Sequence, residues 1–239
     1  MYYRVGLGRL NVRLNGLIRE MLWCLSLPGI VYVSEFPKCG GTWLSQLLSG
    51  LSGKPFHRNK IPYLGSQVLL GHRKVNKNAM VVTLIRNPFD VCLSFYNYVN
   101  NVERDEVRLI RSRIIDIYGK VSIDAVIDYL FVRGLPRIGT YQAFYENLNQ
   151  DLIKYEDLRV NTTLTLSLLS EKYSFNVSES QMKSVIEQFS INNARRKDPK
   201  FVQHGIIKGY KEYLSESQID LIKIYCSNII SKVYSNDIF

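Results

Sequence analysis

The stretch Ile30-Val-Tyr-Val-Ser34, followed by Glu35-Phe-Pro-Lys-Cys-Gly-Gly-Thr-Trp43, determines how the first part of this chain is expected to fold. The first five residues are mostly apolar and rich in β-formers, which is typical of a buried strand. Two adjacent glycines then indicate a tight loop. After the loop, apolar residues recur at helical spacing: Trp43, Leu44, Leu47, Leu48 and Leu51. We therefore predict a strand, a glycine-containing loop and a helix.

Similar apolar runs recur further along the chain. Gln67–Leu70 and Met80–Ile85 are typical of a second and a third strand, and Asp151–Tyr155 of a fourth. Nearly continuous apolar strands suit a parallel sheet that is covered on both faces. Because strands alternate with helices, we predict an α/β fold with a central parallel sheet flanked by helices. In such a sheet the ligand binds beyond the carboxyl ends of the strands.

Helix starts are marked by local signals. Pro88 can occupy a first helical turn, and Asn161 can cap a later helix. The string Ser-Glu-Ser-Gln occurs at Ser178 and at Ser215, and each copy predicts a capping box. Residues 103–149 are predicted to be mostly helical. With 239 residues, the chain is long enough for one well-buried core, so we predict a single domain over residues 1–239.

Composition limits the partners and the compartment. The net charge of +10 predicts an anionic partner, which could be nucleic acid, anionic lipid or a nucleotide with several phosphates. The four cysteines are far apart and form no CxxC pair, which argues against zinc and for free thiols in a reducing compartment. Since no apolar run approaches the roughly 20 residues that cross a bilayer, we expect a cytoplasmic protein, with membrane contact at most peripheral.

The loop Pro37–Trp43 has the chemistry of an anion site. A glycine-rich turn that opens a helix presents backbone N–H groups to an anion, and Lys38 and Thr42 add a positive charge and a hydroxyl. A Walker A loop would need Gly-x-x-x-x-Gly-Lys-Ser/Thr, whereas here the lysine precedes the glycines. Arg86, and no aspartate, follows the third strand. A kinase that uses ATP and magnesium is therefore the weaker alternative.

The same loop resembles the Pro-Lys-Ser-Gly-Thr-Thr-Trp loop of the sulfotransferases that use 3′-phosphoadenosine-5′-phosphosulfate (PAPS), a family with a P-loop-like architecture. The resemblance implies that Lys38 contacts the bridging or leaving oxygen of the donor. It also implies that the rest of the loop holds the phosphosulfate: Cys39, Gly40, Gly41, Thr42 and Trp43. Cys39 and Gly41 depart from the family pattern, but both keep a small residue.

The stretch Leu84-Ile-Arg-Asn-Pro-Phe-Asp-Val-Cys-Leu-Ser-Phe-Tyr-Asn97 resembles the family signature Val-Arg-Asn-Pro-x-Asp-x-x-x-Ser-x-Tyr. The resemblance implies that Arg86 and Ser94 grip the 3′-phosphate of the donor. An arginine can make a bidentate, charge-assisted contact to phosphate, and a serine supplies a hydroxyl donor. Asp90 is expected to support the turn.

Ile153-Lys-Tyr-Glu-Asp-Leu158 resembles the family's Tyr-Glu-Asp-Leu segment, which implies that Tyr155 lies near the adenine. Glu156 and Asp157 are expected to be structural. Phe189 stands where the family often places an aromatic residue that stacks on the adenine. A core phenylalanine is the competing interpretation.

The stretch Phe201-Val-Gln-His-Gly-Ile-Ile-Lys-Gly-Tyr-Lys211 resembles the family's Phe-x-Arg-Lys-Gly-x-x-Gly-x-Trp-Lys segment, which closes over the 3′-phosphate. Gln203 and His204 replace the Arg-Lys pair, Gly205 is retained, and Tyr210 replaces the tryptophan. The resemblance places the nucleotide motifs at 35–44, 84–98 and 201–211.

Sulfuryl transfer requires in-line alignment, stabilisation of charge on the leaving group and removal of the acceptor proton. Many family members use a histidine on the loop after the second strand, a position that His72 occupies in Leu69-Leu-Gly-His-Arg73. His72 is the predicted base and Lys38 the group that offsets leaving-group charge. Glu35, or an acid within 102–124, is the alternative base. No metal is required.

We therefore predict a sulfotransferase that acts on a hydroxyl or amine of a small molecule or a saccharide, with a glycolipid as one form of the acceptor. Residues 99–150, which are rich in arginine, are expected to shape the acceptor site. A non-catalytic protein that binds polyanions is a second alternative. It would interleave aromatic and basic residues over a long segment, which this chain lacks, and nucleic acid is not an expected partner. The sequence leaves the acceptor and the oligomeric state open.

Overall fold

The sheet is parallel throughout the part of the chain that this computed structural model describes. That part comprises residues 2–57, 62, 65–73, 80–146, 152–190, 193, 207 and 209–235, with side chains from Leu14 onward. Within it, four strands lie in the order β2-β1-β3-β4. They are β1 (Ile30–Glu35), β2 (Gln67–Gly71), β3 (Met80–Ile85) and β4 (Leu152–Lys154). The predicted α/β class and parallel sheet are confirmed.

Helices surround the sheet. Their bounds in the described residues are α1 (Tyr2–Leu25), α2 (Gly41–Ser52), α3 (Pro88–Asn101), α4 (Asp105–Tyr118), α5 (Ile123–Ile127), α6 (Tyr141–Tyr145), α7 (Tyr155–Val160), α8 (Thr162–Lys172), α9 (Glu179–Gln188), α10 (Glu216–Tyr225) and α11 (Ser227–Val233). A π-helical segment, Asp128–Arg133, continues directly from α5. A 3₁₀ turn, Gly209–Glu212, precedes α10.

Side-chain alternation along β1 explains why both faces of the sheet are covered. Val31 and Val33 belong to the main core, whereas Ile30 and Tyr32 belong to a second cluster on the opposite face. Leu22 and Trp23 of α1 are also buried in that second cluster. Helix α1 was not predicted from the sequence. No helix in the described residues has the length and apolarity needed to cross a membrane.

The strand ends set the position of the site. Ser34 pairs with Gly71 across β1 and β2, and Glu35 pairs with Leu84 across β1 and β3. The three strands therefore end at one edge of the sheet, and the loops that follow them meet there. This arrangement brings together the segments that contain Lys38, His72 and Arg86, as the sequence predicts.

The local sequence signals predicted most of these helix starts correctly. Both predicted capping boxes form, at Ser178 with Gln181 and at Ser215 with Gln218. Asn161 occupies the N-cap position of α8, as predicted, but its side chain makes no capping hydrogen bond. The final helix is divided at Cys226 into α10 and α11.

Candidate active site

The loop between β1 and α2 is a tight turn that depends on Gly40. Its backbone takes a φ of 102°, and a Cβ there would lie 2.7 Å from Cδ2 of Tyr155. A side chain is therefore excluded both by the backbone conformation and by the lack of space. Lys38 also has a positive φ, 78°. The loop thus brings the backbone of Gly40 directly against the Tyr155 ring, at the start of α2.

The Glu35 carboxylate packs against the backbone of Gly41 at the start of α2. The Gly41 N–H donates to Oε2 of the buried Glu35 side chain at 2.5 Å, and a Cβ on Gly41 would lie 2.5 Å from the Glu35 carboxyl carbon. The threonine of the family pattern would therefore collide with Glu35. A carboxylate near a helix N-terminus is also electrostatically favourable. The contact gives Glu35 a role in shaping the loop.

A buried tyrosine on α6 fastens this loop to β3. The Tyr145 hydroxyl donates to the Leu84 carbonyl at 2.7 Å and accepts from the Phe36 N–H at 3.0 Å. Its single proton is thereby used, so the Cys39 thiol, with Sγ 3.4 Å away, donates to the same oxygen. Burial raises the pKa of the Cys39 thiol far above its usual range.

Cys39 therefore supports the loop from inside. Its side chain is fully buried, and its backbone N–H donates to the Phe36 carbonyl at 3.2 Å. Both of its hydrogen-bond donors act within the protein. Cys39 is predicted to belong to the loop that holds the donor, and its buried thiol places its side chain on the core side of that loop.

Tyr145→Phe is expected to lower the free energy of unfolding by about 2–6 kcal/mol. The substitution leaves the buried Phe36 N–H and Leu84 carbonyl without this partner, and each unsatisfied group costs about 1–3 kcal/mol. Urea unfolding measures the change. Tyr213→Phe is the matched control, because Tyr213 is largely exposed. Equal effects of the two substitutions would contradict the role assigned to Tyr145.

Arg86 joins the first loop to the end of β3. It is only 7% exposed, its Nη1 donates to the Lys38 carbonyl at 3.3 Å, and its Cζ lies 4.5 Å from the centre of the Tyr155 ring. Its own carbonyl accepts from the Tyr141 hydroxyl at 2.5 Å. Asn87 then caps α3 by accepting from the Phe89 N–H. A nearly buried cation is thus fixed beside the N-terminal ends of α2 and α3.

One face of α3 completes this cluster. The Lys38 ammonium lies 4.1 Å from the centre of the Tyr98 ring on α3. Ser94, one turn earlier on α3, is partly exposed and lies on the same helix face as Tyr98. Asp90, one further turn back, accepts from the Tyr210 N–H at 3.3 Å. Asp90 therefore supports the structure, as predicted.

Tyr210 anchors the C-terminal motif next to this face. Its buried ring lies 4.8 Å from the Phe89 ring, centre to centre, with the two planes 30° apart. The tyrosine that replaces the family's tryptophan thus packs at the start of α3. Gln203, His204 and Gly205, which the sequence predicts to contact the donor, lie outside the described residues.

Three aromatic residues, Trp43, Tyr155 and Phe189, lie close together at α2. The Trp43 and Tyr155 rings meet edge-on at 6.0 Å, and Trp43 Nε1 donates to the Phe189 carbonyl at 2.8 Å. The Phe189 ring itself packs against α2, where a Cβ on Gly50 would lie 3.2 Å from its Cε2. The structure therefore brings all three together, but the ring contact on α2 favours the core interpretation of Phe189.

His72 is oriented by the end of β1. Its Nδ1 lies 3.0 Å from the backbone carbonyl oxygen of Glu35. Because a carbonyl can only accept, Nδ1 is the protonated nitrogen, and Nε2 of the neutral ring has the lone pair. A base that is oriented in this way through its second nitrogen is suited to proton abstraction.

Comparisons with known proteins identify the family. The family profile described as the sulfotransferase domain matches residues 66–234. Mouse Sulfotransferase 6B1 is 23% identical over 79% of this chain and 72% of its own length. Cytosolic sulfotransferase 14 of Arabidopsis thaliana is 26% identical over 72% of this chain and 53% of its own length.

Solved structures show the same fold. Mouse sulfotransferase SULT7A1 was solved in a complex with PAP (3′-phosphoadenosine-5′-phosphate). Its structure aligns with a TM-score of 0.61 at 12% identity, over 86% of this chain and 86% of its own. Retinol dehydratase, solved with androsterone and the inactive cofactor PAP, has a TM-score of 0.63 at 12% identity, over 89% of this chain and 82% of its own. These likenesses confirm the P-loop-like sulfotransferase architecture.

Since the family match covers well over half of the chain, this protein belongs to the family of PAPS-dependent sulfotransferases. The predicted family and enzyme class are confirmed. The match begins after the loop that follows β1, so the assignment of that loop rests on its own residues and geometry. Tyr98, Tyr141 and Tyr145 were not predicted from the sequence. The only sequence signal for the last two was their spacing of four residues within a predicted helical segment.

Proposed function

We propose that this protein transfers a sulfuryl group from PAPS to a hydroxyl or amine acceptor, and that the donor binds where Arg86, Lys38 and the start of α2 converge. The observation that carries the proposal is the Arg86 guanidinium, which is nearly buried and held against the Lys38 carbonyl and the Tyr155 ring. PAP in the two structural neighbours supports a donor of this chemistry.

The donor site is proposed residue by residue. Lys38, Gly40, Gly41, Thr42 and Trp43 surround the 5′-phosphosulfate at the start of α2, where the helix dipole favours an anion, while the Gly41 N–H itself is used by Glu35. Cys39 supports this loop from the core.

The other end of the donor is assigned to a second group of residues. Arg86 and Ser94 bind the 3′-phosphate, and Tyr155 lies near the adenine, with the Phe189 carbonyl and ring behind Trp43. Gln203, His204 and Gly205 remain proposed contacts of the C-terminal motif. One sulfotransferase domain spans residues 1–239 in this proposal.

The proposed reaction is a direct in-line transfer. The acceptor oxygen forms a bond to sulfur while the bond from sulfur to the 5′-phosphate oxygen breaks, and PAP leaves. The acceptor proton passes to Nε2 of His72, whose Nδ1–H is held by the Glu35 carbonyl. Lys38 offsets the negative charge that develops on the departing PAP. The role of the protein is therefore alignment and charge stabilisation.

The acceptor is proposed to be a saccharide or glycolipid hydroxyl. Retinol dehydratase binds androsterone in its solved complex, so the neighbours accommodate small molecules. Here the predicted acceptor region contains solvent-exposed arginines, Arg113 and Arg137 among them, which favours a polar acceptor. Others in this region are occupied within the protein, since Arg108 and Arg111 both contact Glu103.

Calorimetric titration with PAP tests the donor site. We expect micromolar binding by the wild type, and Arg86→Ala to weaken it about 10–100-fold, because a hydrogen bond to a charged group contributes about 1.5–3 kcal/mol. Lys183→Ala is the control, since it removes one exposed positive charge from α9. ATP with magnesium is titrated in parallel. Failure of the wild type to bind PAP, or a preference for ATP with magnesium, would contradict the proposal.

A further inference from the structure

A carboxylate on α1 joins two arginines that come from distant parts of the chain. Oε1 of Glu20 lies 2.5 Å from Nη2 of Arg73, on the loop after β2, and 3.6 Å from Nη1 of Arg137, on the turn before α6. One oxygen is thus shared by both guanidinium groups. Two positive charges from separate elements converge on a single anionic group.

The pair lies beside His72, the proposed base. Arg73 directly follows His72, and its carbonyl accepts from the Ser34 hydroxyl at 2.6 Å, at the end of β1. Helix α1 lies across the end of β2, because Trp23 occupies the space above Gly71, where a Cβ would lie 2.4 Å from its ring. In the proposed mechanism His72 reaches the acceptor hydroxyl, which leaves these neighbours within range of the rest of the acceptor.

The contacts are open to solvent. The side chain of Arg137 is 83% exposed, and those of Arg73 and Glu20 are 38% and 35% exposed. Ion pairs of this exposure contribute little to stability. Arg137 also adopts a φ of 66°, which is unfavourable for a residue with a side chain, at the tip of a turn closed by Leu135 and Gly139. The turn presents the guanidinium at an energetic cost, which favours a binding role over a structural one.

We propose that Arg73 and Arg137 form a subsite for an anionic group of the acceptor, a carboxylate or a sulfate ester, and that Glu20 is its internal counter-ion. A guanidinium group recognises either anion through paired, charge-assisted hydrogen bonds. The Glu20 carboxylate occupies the arginines in the unbound protein and is displaced when the acceptor anion binds. The inference rests on the proposed function and narrows its acceptor to acidic hydroxyl compounds, such as acidic saccharides.

The test compares matched acceptors on protein saturated with PAP. The first pair is methyl β-D-glucuronide and methyl β-D-glucoside, and the second is 4-hydroxybenzoate and 4-hydroxybenzamide. We expect tighter binding of the charged member. Arg137→Gln and Arg73→Gln should each weaken it by about tenfold, the scale of one charge-assisted hydrogen bond. Glu20→Gln should strengthen it several-fold, because the internal competitor is removed.

Glu20→Gln and Arg137→Gln are expected to change acceptor binding in opposite directions, which distinguishes a role in recognition from a purely structural role. Glu20→Gln and Arg137→Gln both remove the same ion pair, so a purely structural role would move both variants in one direction. Asp220→Asn, which breaks the exposed pair with Lys223 on α10, is the control and should leave binding unchanged. Melting temperatures check that each variant is folded.

No preference for the charged member in either pair, or equal effects of Glu20→Gln and Arg137→Gln, would overturn the inference. So would absence of binding by all four compounds. Failure of the proposed function has a different signature, since the wild type would then fail to bind PAP before any acceptor is added.

Discussion

His72→Asn is expected to lower kcat for sulfuryl transfer by about 10²–10⁴-fold, the range that a general base contributes. Asparagine places an N–H near the position of Nδ1, so it can still donate to the Glu35 carbonyl, but it has no nitrogen that can accept a proton at the position of Nε2. The variant therefore removes the base and preserves the contact that orients it. PAP formation from PAPS, with the best acceptor from a panel of saccharides and phenols, measures the rate.

Affinity for PAP should be unchanged in this variant, because His72 faces the acceptor in the proposed mechanism. His57→Asn is the matched control, since the His57 side chain is exposed and its carbonyl, which accepts from Arg19, is retained. A wild-type kcat in His72→Asn would exclude His72 as the base. The candidate bases would then be the predicted alternatives, Glu35 and the acids within 102–124.

Lys38→Met is expected to lower kcat by about 10²–10³-fold, the usual effect of removing one preorganised group that stabilises transition-state charge. Methionine is unbranched and only one atom shorter than lysine, and its thioether can still pack on the Tyr98 ring, while the positive charge that lies over that ring disappears. It also meets the same backbone restriction as lysine at the positive φ of residue 38. The loss is therefore attributed to charge rather than to the fold of the loop.

The measurement is again PAP formation under saturating PAPS. Lys232→Met removes an exposed lysine from α11 and should have no effect. If Lys38 acts on the leaving group, kcat falls more than affinity for PAPS does. A variant that loses affinity alone, with kcat unchanged at saturation, would show that Lys38 only binds the donor.

The sheet and the meeting point of its loops were predictable because they depend on local patterns. The three strands up to Ile85 are short apolar runs, and parallel strands must end at one edge, so the loops with Lys38, His72 and Arg86 had to meet. The capping boxes at Ser178 and Ser215 are likewise complete within four residues.

The contacts that complete the site were not predictable in this way. Tyr145 and Phe36 are 109 residues apart in sequence, and Arg73 and Glu20 are 53 apart. Nothing in either local pattern indicates the other partner. The sheet face that α1 covers was missed for the same reason, since among the described side chains of that helix, from Leu14 onward, Leu22 and Trp23 alone are buried. Pairing at such separations is decided by tertiary packing.

The two tyrosines of α6 have a practical consequence for engineering. Tyr141 donates to the Arg86 carbonyl, and Tyr145 holds both Leu84 and Phe36, so a helix in the predicted acceptor region also secures both loops of the proposed donor site. A library that randomises α6 to change acceptor preference would therefore disrupt the proposed donor site in most of its members. Diversity is better placed at the exposed positions Pro136, Arg137 and Ala143, with both tyrosines left unchanged.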